Sequence, residues 1–277
     1  MQRITSRQNA VVTEFREAAQ SSSDTLLLDG AHLVNDAIAA GLRLRRVIVA
    51  ADALDVPEIA RVIDRLDPRR VEIFAGNASV LDAVSPVRSS SPIVALAARP
   101  TVAGSPFDRP SSLVVIACDI QDPGNVGAIV RVAEGAGASG VVVAGPGADP
   151  FGWKALRGSM GSALRLPIVT VSDVHIAIDE ARRHDAQIVA TVPRDGVSLF
   201  DAPLTGKLAL LIGGEGAGLS LEAIGAADLR VTIPMEPAVE SLNAAVAAAV
   251  LLYEARRQRT RGAGRADLYL NRATVAP

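Results

Sequence analysis

Apolar residues recur along the first hundred positions in two alternating rhythms. Spacings of three and four predict helices over Arg7–Ala19, His32–Ala40, Glu58–Leu66 and Ala78–Val84, while short continuous apolar runs predict strands at Thr25–Leu28, Arg46–Ala50, Val71–Ala75 and Ile93–Ala97. Helix and strand in alternation make a small α/β sandwich over residues 1–98. The stretch ARPTVAGSPFDRPSS is rich in Pro and Gly and has no period, which marks residues 99–112 as a linker.

Beyond it the strands change character. Leu113–Cys118, Gly140–Ala144, Leu166–Val171 and Gln187–Val192 are apolar throughout rather than alternating, the mark of parallel strands buried on both faces. Helical patterns separate them, so a second α/β domain with a covered parallel sheet is expected over residues 113–260, and 261–277 remain as a C-terminal tail.

Two later segments break this pattern. In LALLIGGEGAGLS a buried strand ends in Gly213, Gly214, Glu215, Gly216 and Gly218, where backbone can approach a ligand closely. In IPMEPAVESLNAAVAAAVLLYE a second strand, Asp228–Ile233, breaks at Pro234, loops through Pro237 and enters a helix, Ser241–Arg257. Leu242, Val246, Val250 and Tyr253 recur at helical spacing and are assigned to packing, with Ser241 and Asn243 on a polar side. The two loops and the helix start make one pocket. A dinucleotide loop is the rival reading of GGEGAG, but no acidic residue ends a strand about twenty residues later in a βαβ unit.

Composition narrows the setting. The longest apolar run, Ala244–Leu252, falls short of the ~20 residues of a membrane helix, and no apolar stretch follows the first arginines as in a secretory signal, so a cytoplasmic protein is expected. One cysteine, Cys118, leaves no internal disulfide, and His32, His175 and His184 are scattered, so no metal is expected.

With DPGNVGAIVR at Asp122–Arg131, these segments resemble the three motifs of the SpoU/TrmH family of RNA ribose 2'-O-methyltransferases. The first motif is carried by Asn125, Gly127 and Arg131, the second by G-x-E-G-x-G-L around Glu215, the third by I-P-M followed by E-S-L-N, and the match spans roughly 111 to 260. Thr5, Ser6 and Asn9, then LLLDGAHLVNDA and RRVIVA, resemble the small RNA-recognition domain that many members carry in front. The resemblance implies S-adenosylmethionine as cofactor, a deep trefoil knot at the C-terminal end and a homodimer acting on RNA, ribosomal RNA in preference to transfer RNA. A catalytically silent RNA-binding or ribosome-assembly protein of the same fold, or a transfer-RNA 2'-O-methyltransferase, is the alternative.

The resemblance also assigns residues. Arg131 becomes the group that stabilises charge on the attacking ribose oxygen, since a guanidinium with pKa above ~12 does not readily act as a base. Asn125, which could also cap the helix it precedes, Glu215, Ser241 and Asn243 complete the catalytic set. Thr191, Ile212, Gly213, Gly214, Glu215, Ile233, Met235, Leu242 and Asn243 are implied to hold the cofactor. The chain departs from the family's pattern at Gly214, where Asn is frequent, at Ala217 and at Pro237. A net charge of −2 is low for a nucleic-acid enzyme, so local patches matter: Arg43, Arg45 and Arg46 are expected to contact RNA phosphates, and Arg256, Arg257, Arg259, Arg261 and Arg265 to form a solvated face at a helix C-terminus.

Overall fold

A computed structural model describes residues 1–20 and 24–262. Most of the expected tail, 261–277, lies outside the described residues. The chain divides into two compact units, 1–101 with 148–165 and 102–147 with 166–277.

The first unit holds a five-stranded mixed sheet in the order β1 (Gln2–Ile4), β4 (Glu72–Gly76), β3 (Leu44–Ala50), β5 (Ile93–Ala98), β2 (Thr25–Asp29). β5 runs antiparallel to both of its neighbours; the other pairings are parallel. Helices α1 (Ala10–Gln20), α2 (Ala31–Ala39), α3 (Pro57–Asp64) and α4 (Ala78–Val84) complete the α/β pattern of the sequence. α1 starts three residues later than its apolar rhythm, because the Asn9 side chain accepts from Val11 N–H at 2.9 Å and caps it there.

The unit boundaries differ from those drawn on the sequence in two places. Residues 148–165, placed by the sequence in the rear domain, belong to the first unit. They carry α6 (Trp153–Ser159), whose Trp153 packs on the core of Phe15, Ile48 and Phe74, while Asp149 pairs with Arg99 and Arg99 lies over the Phe151 ring at 4.3 Å. In the linker, Phe107 is fully buried in the core of the second unit and stacks on His184 with centroids 6.1 Å apart. A periodicity test passes over both, since a single aromatic and one short helix carry no repeat.

The second unit is a seven-stranded, wholly parallel sheet in the order β10 (Val197–Ser198), β12 (Leu229–Thr232), β9 (Gln187–Thr191), β11 (Leu208–Gly213), β6 (Leu113–Cys118), β7 (Gly140–Ala144), β8 (Ile168–Val171). α7 (Val174–Arg183) and α8 (Leu221–Gly225) bury Ala177, Ile178, Ala181 and Ala223 against one face. α5 (Pro123–Ala136) and α9 (Ala244–Gly262) pack together, α5 against β6 and β7 and α9 against β11.

α9 corrects two expectations. Its buried side is Ala244, Ala245, Ala248, Leu251, Leu252 and Ala255, whereas Val246 and Tyr253 are 49% and 53% exposed and Val250 is half-buried. The four alanines on the buried side let the helix sit close to its neighbours, with Leu251 and Leu252 filling the rest of that side and Val246 and Tyr253 facing outward. The arginines near its end are not simply solvated. Arg259 donates to the carbonyls of Ser111 at 2.8 Å and Ser112 at 3.2 Å and to that of Gly206, and its burial lowers its pKa. Arg256 donates to Gly135 O at 2.9 Å, and Arg257 pairs with the buried Glu254.

Replacing Phe107 with alanine is expected to cost about 3–5 kcal/mol of stability, the range for emptying an aromatic site in a core. Denaturant unfolding of the full chain checks this. A linker position would cost less than ~0.5 kcal/mol.

Candidate active site

Four strands of the parallel sheet end beside one another, and the loops leaving their C-terminal ends build the site. This is where open α/β sheets bind ligands, outside the strand ends where the winding direction changes: β7 and β8 lie to one side of β6, β11 and β9 to the other.

After β6, Asp119 takes a left-handed conformation, φ 54°, and its N–H bonds to Ala144 O at 2.9 Å. Three residues on, Asp122 caps α5 by accepting from Asn125 N–H at 2.9 Å, with Pro123 in the first helical turn. Asn125 is therefore not the cap, as the sequence allowed. It stands inside the first turn with its side chain free for other partners. The Asp-Pro dipeptide is the signal that identifies the true cap.

After β11 the chain makes a tight loop in which Gly214 and Gly218 form an isolated bridge and Gly216 and Gly218 take φ +88° and +67°. A Cβ on Gly213 would strike the backbone of Gly218 and Leu219, and one on Gly214 the carbonyl oxygen of Asp119. The departure at Gly214 thus has a physical basis here: the β6 and β11 loops lie too close for any side chain. Cys118, beside Gly213 in the sheet, is buried, and burial with the Asp119 charge pushes its thiol up to about 12. It is an inert core residue.

After β12 the chain passes through a turn closed by Val239 N–H on Glu236 O at 2.9 Å and reaches Asn243, just before α9. The Asn243 Oδ1 accepts from Ala245 N–H at 2.9 Å and Val246 N–H at 3.3 Å, so Asn243 is the cap and the helix starts three residues later than the sequence indicated. Its Nδ2 donates to Asn125 Oδ1 at 3.0 Å and to Glu215 Oε1 at 3.1 Å, and Asn125 Nδ2 also donates to Glu215 Oε1. Three residues far apart in sequence thereby form one hydrogen-bonded triangle. Glu215 accepts from two amides and from no arginine.

Beside the triangle lies a cavity of ≈ 530 Å³. Its lining includes every residue assigned from sequence to the cofactor, Thr191, Ile212, Gly213, Gly214, Glu215, Ile233, Met235, Leu242 and Asn243, and also Ser241. Pro193, Leu219, Ala244 and Ala247 line it too and carry no sequence signal of their own. The Thr191 hydroxyl donates to Leu211 O, which holds the side chain against the neighbouring strand.

Arg131 is placed apart. It is exposed on α5, outside the lining of the cavity, and its side chain makes no hydrogen bond or ion pair with another described residue. The front arginines do not form one patch either. Arg46 pairs with Glu14 and Glu72, Arg45 donates to Thr25 Oγ1 at 3.0 Å, and only Arg43 of the three is exposed without such a partner among the described residues. Two carboxylates already pair with Arg46, which sets it apart from Arg43. No group of three or more His, Cys, Asp or Glu that could hold a metal ion occurs among the described residues, and no described helix is long and apolar enough to cross a membrane.

A parallel α/β domain whose loops at the C-terminal strand ends surround a cavity belongs to the class of open α/β folds that bind small molecules there. Within it, residues 112–253 match the SpoU rRNA Methylase family, to which the chain belongs. It is 32% identical to an uncharacterized tRNA/rRNA methyltransferase of Synechocystis, covering 92% of this chain and 93% of that one. It is 27% identical to the 23S rRNA (guanosine(2553)-2'-O)-methyltransferase RlmP of Bacillus subtilis, over 92% of this chain and 100% of that one. Among solved structures, AviRb of Streptomyces viridochromogenes in complex with the cofactor AdoMet superposes with a TM-score of 0.83 at 31% identity, over 93% and 100% of the two chains.

Asn243→Ser keeps a capping oxygen but loses the amide that reaches Asn125 and Glu215. It is expected to melt close to the parent while losing turnover at least tenfold, whereas Asn243→Ala should lose turnover and about 1 kcal/mol of stability together. Melting curves beside methylation rates separate the two roles.

Proposed function

We propose that the protein transfers a methyl group from S-adenosylmethionine to a ribose 2'-hydroxyl of ribosomal RNA, as a cytoplasmic homodimer with a deep trefoil knot in its C-terminal unit. The observation that carries this reading is the hydrogen-bonded triangle of Asn125, Glu215 and Asn243, of which Glu215 and Asn243 line the cavity. Transfer RNA is the second substrate reading, favoured by the mixed description of the Synechocystis relative.

The cavity suits the cofactor. Its volume falls within the usual range for small-molecule sites, roughly 300–1,000 Å³, and Ile212, Ile233, Met235 and Leu242 supply apolar walls around few polar groups. When bound, S-adenosylmethionine supplies an electrophilic sulfonium methyl. The chain supplies position and charge. Gly213 and Gly214 line the cavity with bare backbone, since a Cβ on either would strike the chain's own backbone, and the two amides hold the Glu215 carboxylate in one orientation, ready to accept from a ribose hydroxyl. Arg131 favours negative charge on the attacking oxygen or holds the phosphate beside it, and the proton leaves to phosphate or water.

The free position of Arg131 supports a dimer in which one protomer's arginine serves its partner's cavity. The exposed Val246 and Tyr253 on α9, with the half-buried Val250 between them on the helix packed against the one that carries Arg131, support that surface as the contact. The knot reading is supported by strand order: β11 is inserted between β6 and β9, the chain crosses to β12, and α9 returns to pack on α5. The front unit is proposed to grip folded RNA.

Arg131→Ala should slow single-turnover methylation ~100-fold or more with RNA and cofactor saturating, and Arg131→Lys should restore little because an ammonium lacks the planar fork. A stable Arg131→Ala protein with near-normal turnover would remove the residue from the mechanism. Val246→Glu should yield a monomer by light scattering that still binds S-adenosylmethionine but has lost turnover. A fully active monomer contradicts the shared site.

A further inference from the structure

A second cavity of ≈ 480 Å³ adjoins the first and shares Pro193, Ile233 and Met235 with it. Its other walls come from the loop after β12, where Val239 N–H bonds to Glu236 O at 2.9 Å and Pro237 takes the second position of the turn so closed. Arg194, Glu236 and Glu240 line this cavity, all three exposed, and none pairs through its side chain with another described residue. Three charged groups around one hollow, none of them spending its hydrogen bonds on protein, leave that capacity to a ligand.

We infer that this second cavity receives the base of the nucleotide being methylated and that Glu236 and Glu240 select guanine. The inference rests on the methyltransferase reading above. A target ribose must stand beside the cofactor, so its base needs space contiguous with the cofactor cavity, and this cavity is contiguous. Ionised carboxylates only accept hydrogen bonds. Guanine offers N1–H and an exocyclic N2–H side by side, a match for the two oxygens of one carboxylate. Uracil flanks its single N–H with carbonyl oxygens that a carboxylate repels, and adenine and cytosine set their amino group beside a ring nitrogen that is itself an acceptor. Arg194, on the loop after β9, suits the phosphate of the same nucleotide.

The test maps 2'-O-methyl positions in ribosomal RNA from cells with and without the gene. Loss of a 2'-O-methylguanosine is expected. Loss at an adenosine, cytidine or uridine overturns the guanine assignment while the methyltransferase reading stands, and no loss at all removes both. Purified full-length Glu236→Gln and Glu240→Gln are then assayed on unmethylated ribosomal RNA from the deletion cells. At least one of them should lose about tenfold in kcat/KM, the discrimination of one good base contact, with S-adenosylmethionine affinity and melting temperature unchanged. Wild-type kcat/KM in both would show that these carboxylates do not read the base.

Discussion

One side chain amide holds this site together. Asn243 uses its oxygen to start α9 and its nitrogen to reach Asn125 and Glu215, so the helix, the β6 loop and the β11 loop are fixed to a common point. A serine or aspartate would cap as well. Only an amide both accepts along the helix axis and donates sideways to a carboxylate and a second amide.

The rest of the unit makes that point rigid. At its far end α9 is tied by Gln258, which donates to Ala202 O at 2.9 Å and accepts from Leu204 N–H at 2.8 Å, and by Arg259 bonded to three carbonyls. A helix anchored at both ends carries its cap with little play. The glycine loop has none to spare, because Gly213 and Gly214 touch backbone on two sides. Catalysis by positioning demands this stiffness, since a misplacement of about 1 Å can cost ~100-fold in rate.

Much of this was legible in the sequence, and the reasons are physical. Fully buried parallel strands read as unbroken apolar runs, so six of the seven strands of the second unit were found close to their true bounds, while β10, two residues long, carries too little pattern to detect. The pocket residues were found because glycines after an apolar strand report close backbone approach. What escaped was long-range. No local pattern tells that Phe107 lies in a core, that residues 148–165 join the front unit, or that Glu14 and Glu72 neutralise Arg46. The outward face of α9 was misassigned because small alanines, weak in any hydrophobicity count, are what the close packing needs.

The central claim is methyl transfer to a ribose oxygen. It is tested most directly by incubating the protein with S-adenosylmethionine labelled in its methyl group and unmodified ribosomal RNA, digesting the RNA to nucleosides and locating the label. The account predicts label in a 2'-O-methyl nucleoside, released on hydrolysis with the sugar and not with the base. Label on a base, or none in RNA that the protein binds, would contradict it.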